Sequence, residues 1–126
     1  MALLALIVAL AHPGVTAKTG FAYGRTGGNI IPFTVKIATT RAVTATGAAP
    51  AHVDTITKER LAELNRVAFV VDFSKLPAST LCKNALPDVA AQFIRVGART
   101  VHVHGSCVPR FNRLWTALNR AVAKPS

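Results

Sequence analysis

The chain has 126 residues, of which 51% are apolar and 16% charged, a balance that gives one domain a core and excludes a disordered chain. Its 15 Lys and Arg against 5 Asp and Glu leave a net charge of +10, a field that attracts phosphate backbones, anionic lipid headgroups or an acidic protein face. Two cysteines, Cys82 and Cys107, are too few for a disulfide-dense scaffold or a zinc framework. Buried reduced thiols are the default reading, and a disulfide becomes serious only for an exported chain.

The chain opens with an apolar run, Ala2 to Ala11, that has the composition of a signal-peptide core, with Ala9-Leu10-Ala11 as a small-x-small cleavage site. No Lys or Arg precedes it, and it is shorter than the roughly 20 residues a membrane span needs. A core strand or short buried helix is the favoured alternative. Acid-free, Ala- and Thr-rich sequence then continues to Val53, as in organellar import segments. A mitochondrial or other organellar location is favoured, with a bacterial cytoplasm or secretion as alternatives.

Residues 12–29 are rich in turn formers and read as an extended arm. The chain therefore divides into an N-terminal apolar segment and arm, 1–29, and a single α/β domain, 30–126. Within the domain, IIPFTVKIA alternates, with Ile31, Phe33, Val35 and Ile37 on one side of a strand and Lys36 on its wet side. RAVTAT is a second strand. A helix of about ten residues follows, with Thr57 as N-cap, Glu59 in its first turn, and Leu61 and Leu64 inward.

VAFVVDF, Val67 to Phe73, is apolar almost throughout and reads as a strand buried on both faces. A helix is then expected from Pro87 to a stop at Gly97, with Val89, Ala90, Phe93 and Ile94 as its inner stripe. RTVHVHG forms the next strand. The last helix runs from about Pro109 to Ala123, with Phe111, Trp115, Leu118 and Val122 at helical spacing. The order is strand, strand, helix, strand, helix, strand, helix. Its end is a parallel βαβ unit with a right-handed crossover, in which Val70 and Phe93 are fully buried.

The stretch HVDTITKERLAELNRVAFVVDFSKLPAS, followed by FIRVGARTVHVHG, resembles the STAS domain of bacterial anti-sigma-factor antagonists over about residues 30–122. Val71, Asp72, Phe73 and Ser74 match that family's strand end, Ser79 stands near its phosphorylated serine, and Gly97 precedes the next strand. The resemblance implies a fold and a regulatory binding role switched by phosphorylation at Ser79. Ala78 stands where the family carries an aspartate before that serine.

His102 and His104 share one face of a strand because the side-chain period is two. A zinc or copper site needs three or four ligands, for which Cys107, bending back across Gly105, and His52 are the available additions. His104-Gly105-Ser106 lacks the second H-x-S element that a histidine phosphodiesterase needs, and a Cys107 nucleophile with His104 as base lacks a group to orient the base. A small-ligand pocket is expected beyond the carboxyl ends of the parallel strands, where Asp72, Ser74, His104, Gly105 and Ser106 should converge.

The last helix carries Arg110, Arg113, Arg120 and Lys124 on a face largely opposite its apolar stripe, with Trp115 beside them. That face is a docking surface for an acidic partner, RNA or anionic lipid. The reading is a non-catalytic basic binding or structural subunit of a larger protein or ribonucleoprotein assembly, with no cofactor and no membrane span. The alternatives are the STAS-like phosphoswitch and a small metal-dependent enzyme built on the histidine strand.

Overall fold

Phe21 and Tyr23 alternate with Ala22 and Gly24, and the strand they define is the centre of the domain. The computed structural model describes residues 19–86 and 88–125. Six strands, β1 (Phe21–Thr26), β2 (Phe33–Ile37), β3 (Val43–Gly47), β4 (Ser79–Leu81), β5 (Ala91–Val96) and β6 (Arg99–His104), form one sheet in the order β3-β2-β1-β5-β6-β4. Every neighbouring pair is antiparallel except β4 with β6. Among the described residues, two helices, α1 (Lys58–Val70) and α2 (Pro109–Val122), join the sheet in a mixed α/β fold.

Register places one apolar layer across five strands. Phe21 and Tyr23 stand beside Ile37 and Val35 of β2 and Ile94 of β5, and the layer continues through Val43 of β3 and Val101 and Val103 of β6. All eight are at most 5% exposed. Leu61, Leu64 and Val67 of α1 and Phe111, Leu114 and Leu118 of α2 belong to the same core, so both helices lie on this face. Thr57 caps α1, its hydroxyl accepting from the Arg60 amide at 3.1 Å. Pro109 opens α2, where a missing N–H goes unnoticed. The two helices meet head to tail: Arg60 donates to the carbonyls of Arg120 and Ala121, and Arg110 donates to the carbonyl of Val71 at the other end.

Several expected elements fold otherwise. Residues 21–26, assigned to the arm, are the central strand, hidden in the sequence by Gly20, Gly24 and the turn at Gly27 and Gly28. VAFVVDF is no strand: α1 runs on through Val70, because Val67, Ala68 and Val71 continue the inward spacing of Leu61 and Leu64. A short unbroken apolar run is compatible with either state, and here the helical phase wins. Val70 is therefore 47% exposed instead of buried. Asp72, with φ of 56°, turns the chain into a short 3₁₀ segment, Phe73–Lys75.

The helix expected before Gly97 is β5. Gln92, Ile94 and Val96 face the helices while Phe93 and Arg95 face away, so Phe93 is half-buried on the opposite side from the core. Gly97 does not stop a helix but opens the two-residue hairpin turn between Val96 and Arg99, where its φ of +61° is needed. The parallel pair is consequently β4 with β6, and a strand, β5, lies between them in sequence where a helix was expected. Ala2 to Ala11 and Pro87 lie outside the described residues.

Tyr23, the one tyrosine of the chain, is 1% exposed, and burial pushes its hydroxyl up to about 12. An unfolded chain releases that proton near 10. Between the two values the folded state holds a proton that the unfolded state has lost, so stability falls as pH rises from about 10 towards 12, by on the order of 2 kcal/mol. Absorbance at the phenolate wavelength should show a single transition near 12 for the folded chain and near 10 in denaturant.

Candidate binding face

The second face of the sheet carries no helix among the described residues. Its rows follow from the register. Thr44, Lys36, Ala22, Arg95 and Thr100 stand side by side across five strands. Next to them run Thr46, Thr34, Gly24, Phe93, His102 and Ser79. Lys36, Arg95 and His102 are exposed. The Phe93 ring lies across Gly24, where a Cβ would stand 3.0 Å from Cε1, and its other side approaches the His102 ring at 6.0 Å between centroids. The surface is thus rich in threonine and cationic.

No Asp or Glu occurs in any of the six strands. The five acids are Asp54 before α1, Glu59 and Glu63 on it, Asp72 just after it, and Asp88 in the loop before β5. Acids are therefore kept out of the strands, while cations occur in both layers.

That placement of the acids changes the standing of the cationic row on α2. Arg110 donates to the Val71 carbonyl at 3.2 Å, where a cation complements the carbonyl end of α1. Glu63 pairs with Arg66, whose hydrogen bond holds its carboxyl below the usual range, with the Arg66 and Arg113 charges adding to the effect. Arg120 shares the groove between the helices with Glu59 and Glu63. Acids thus accompany this row in space although none follows Asp88 in sequence. Lys124 lies beyond α2 and is exposed. Trp115 turns inward: it meets Tyr23 edge to face at 5.3 Å, stacks on Phe111 at 6.2 Å and carries the Arg25 guanidinium over its ring at 5.7 Å.

The expected ligand pocket divides in two. Asp72 and Ser74 line a cavity of about 230 Å³ with Thr19, Asn65 and Arg99. Arg99 donates to the Leu76 carbonyl, and its Nε is buried without a partner. Gly105 and Ser106 line a different cleft, of about 680 Å³, with Arg25, Asn29 and Gln92. The two groups separate because Asp72 follows a helix, not a strand parallel to β6.

His102 and His104 do share a face, as their spacing requires. His104 donates from Nε2 to the Leu86 carbonyl at 3.2 Å, and among the described residues no three of His, Cys, Asp and Glu gather as ligands. His52 is tied elsewhere, donating from Nδ1 to the Val53 carbonyl at 2.8 Å. Cys107 is not a thiol at all, because it forms a disulfide with Cys82. Parallel pairing of β4 with β6 carries Cys82 to the end of β6, where its amide donates to the His104 carbonyl at 2.9 Å, and the bend at Gly105 brings Cys107 back to it. This removes both the nucleophile and the third metal ligand considered for the strand. Ser79 opens β4 and is exposed beside His102. Val71 to Ser74, which carry the STAS resemblance, form the end of α1 and the start of the 3₁₀ turn.

Comparison with protein families, with characterised proteins and with solved structures gives no significant match to this chain.

The disulfide and Gly105 form one unit. At φ of +114° a Cβ on Gly105 would stand 2.6 Å from the Cys82 Cβ and 2.8 Å from its sulfur. The bridge spans a sequence separation of 25, and loop-closure entropy for that length gives about 3.5 kcal/mol. Cys82→Ser with Cys107→Ser should lower the urea-unfolding free energy by about this amount. Gly105→Ala should lower it by about 2 kcal/mol or more with the bridge intact.

Proposed function

We propose that this chain is a non-catalytic binding subunit that docks an acidic protein partner on the sheet face that carries no helix among the described residues. The observation that carries the reading is the exclusion of acids from the strands: Lys36 and Arg95 stand exposed on a face built from strands that contain no acid. On such a face complementary charge speeds encounter and selects the partner more than it tightens the complex. Exposed pairs contribute only about 0.2–1 kcal/mol each.

Strand spacing and rise give the face a planar extent of roughly 400 Å², about half of what each side of a standard interface buries. Such a dock alone is reversible. It suits a subunit held in an assembly by more than one surface.

The Cys82–Cys107 bridge supports an oxidising compartment, since such bonds persist in secreted and periplasmic proteins and are rare in the cytosol. The signal-like composition of Ala2 to Ala11 supports the same setting, in place of the organellar one that the import-like leader favours.

Lys36→Gln with Arg95→Gln, on exposed strand positions, should leave thermal stability within about 1 °C and weaken capture of an acidic partner from the native source most at low salt, the difference shrinking as salt screens the charges. Arg113→Gln with Arg120→Gln should have the smaller effect. Equal capture by the sheet variant and the parent would sink the proposal. Tight binding of generic RNA, with a log–log salt slope near −0.7 per contact, would replace the protein partner by a nucleic acid.

A further inference from the structure

Among the described residues, seven large apolar side chains are exposed: Ile30, Ile31, Phe69, Val70, Leu81, Leu86 and Val89. Five of them gather at one end of the sheet. Ile30 and Ile31 belong to the loop between β1 and β2, and Leu81, Leu86 and Val89 to the end of β4 and the connection into β5. Thr26 pairs with Ala91 and Leu81 with His104, so these segments leave the sheet on the same side. The two loops touch. Asn29 donates to the Asp88 carboxylate at 3.3 Å, and a Cβ on Gly28 would stand 2.6 Å from the Asp88 carbonyl oxygen. Ile30, Leu86 and Val89 line one cleft of about 680 Å³. Ile31 is 71% exposed, Leu81 73% and Leu86 63%, and all three stand at this end of the sheet, with Ile31 and Leu81 toward its two sides.

We propose that this end of the molecule seats in the interface of an anionic lipid bilayer. Arg25 and Lys83, both exposed, stand with these segments against one acid, Asp88, which accepts from the Asn29 amide. The patch thus joins aliphatic side chains to an excess of cations over acids, on a chain of net charge +10. A polyanion would leave five aliphatic groups in water, and a neutral apolar surface would leave the cations without partners. A bilayer with anionic headgroups satisfies both within the roughly 5–10 Å that an interfacial element penetrates. No helix of the described residues is long and apolar enough to cross a membrane, so the contact is peripheral. Leu81 shares its sheet face with Ser79 at the margin of the tip, while the other four apolar residues lie in the loops beyond the strand ends.

The full chain should be mixed with vesicles of phosphatidylcholine containing 30% phosphatidylglycerol, and with phosphatidylcholine alone, and the bound fraction measured by sedimentation. Binding is expected on the anionic vesicles and weaker by tenfold or more on the neutral ones. Ile31→Ser with Leu86→Ser, at exposed positions, should lower it at least tenfold while near-ultraviolet circular dichroism stays that of the parent. Lys83→Gln should lower it about fivefold. Parent chain that fails to sediment with anionic vesicles at low salt would overturn the proposal. So would an apolar variant that binds as the parent does, or a Lys36→Gln, Arg95→Gln variant that loses as much as the apolar one, which would put the sheet face on the lipid. A concentration-dependent dimer abolished by Ile31→Ser with Leu86→Ser, without vesicle binding, would make a second copy of the chain the occupant.

Discussion

Tyr23 and Trp115 meet edge to face at 5.3 Å where the central strand passes under α2, and the two-layer design hangs on that crossing. Phe111 stacks on the same indole from within the helix, and Arg25 covers its outer side. A large aromatic surface is thereby sealed without a charged group entering the core, which holds no buried polar or charged residue among those described. With α2 committed to this side, α1 follows through its head-to-tail contacts, and the described helices all lie on one face. The other face is left to threonine, lysine, arginine and histidine because a half-solvated antiparallel sheet alternates in just that way.

The sequence was most legible where a local rule acted alone. Thr57 caps α1, Pro109 opens α2, IIPFTVKIA and RTVHVHG form strands on their alternation, and His102 and His104 share a face. It was least legible where two periods fit the same residues. VAFVVDF satisfies a buried strand and the inward phase of a helix equally, and only the burial of Val67, Ala68 and Val71 beneath the sheet decides between them. In VAAQFIRV, Phe93 and Ile94 fit a helical stripe, whereas the alternation of Gln92, Ile94 and Val96 is what β1 selects by pairing. Gly97 fits both a helix end and a hairpin turn, so it could not arbitrate. Arg95, expected on that helix, stands on the open sheet face because β5 is a strand.

Tertiary structure also decided the cysteines. Nothing in a separation of 25 residues distinguishes a bridge from two thiols. The bridge exists because β4 pairs parallel to β6 and delivers Cys82 beside the bend that carries Cys107. The glycine at that bend has the same origin: its φ of +114° and the 2.6 Å approach of Cys82 leave no room for a side chain. What read as a possible ligand turn, His104-Gly105-Ser106, is the clasp between the edge strand and the last helix.

The clasp bears on the surface as well as on stability. β4 is only three residues long and forms one edge of the sheet, with Leu81 largely exposed beside it. An edge strand leaves backbone groups open to pairing with another chain, and a short one limits that exposure. Fixing Cys82 to Cys107 one residue past Leu81 anchors that edge to α2, so an apolar edge can remain exposed without drifting from the sheet. The same anchor holds the base of the loop that carries Leu86 and Val89. An apolar end on such a mount keeps a defined shape while remaining open to a partner, and the ordering entropy of that end is lost in folding before any partner arrives. The cationic sheet face is pre-organised in a different way, by the pairing of its own strands, so neither surface depends on the other for its geometry.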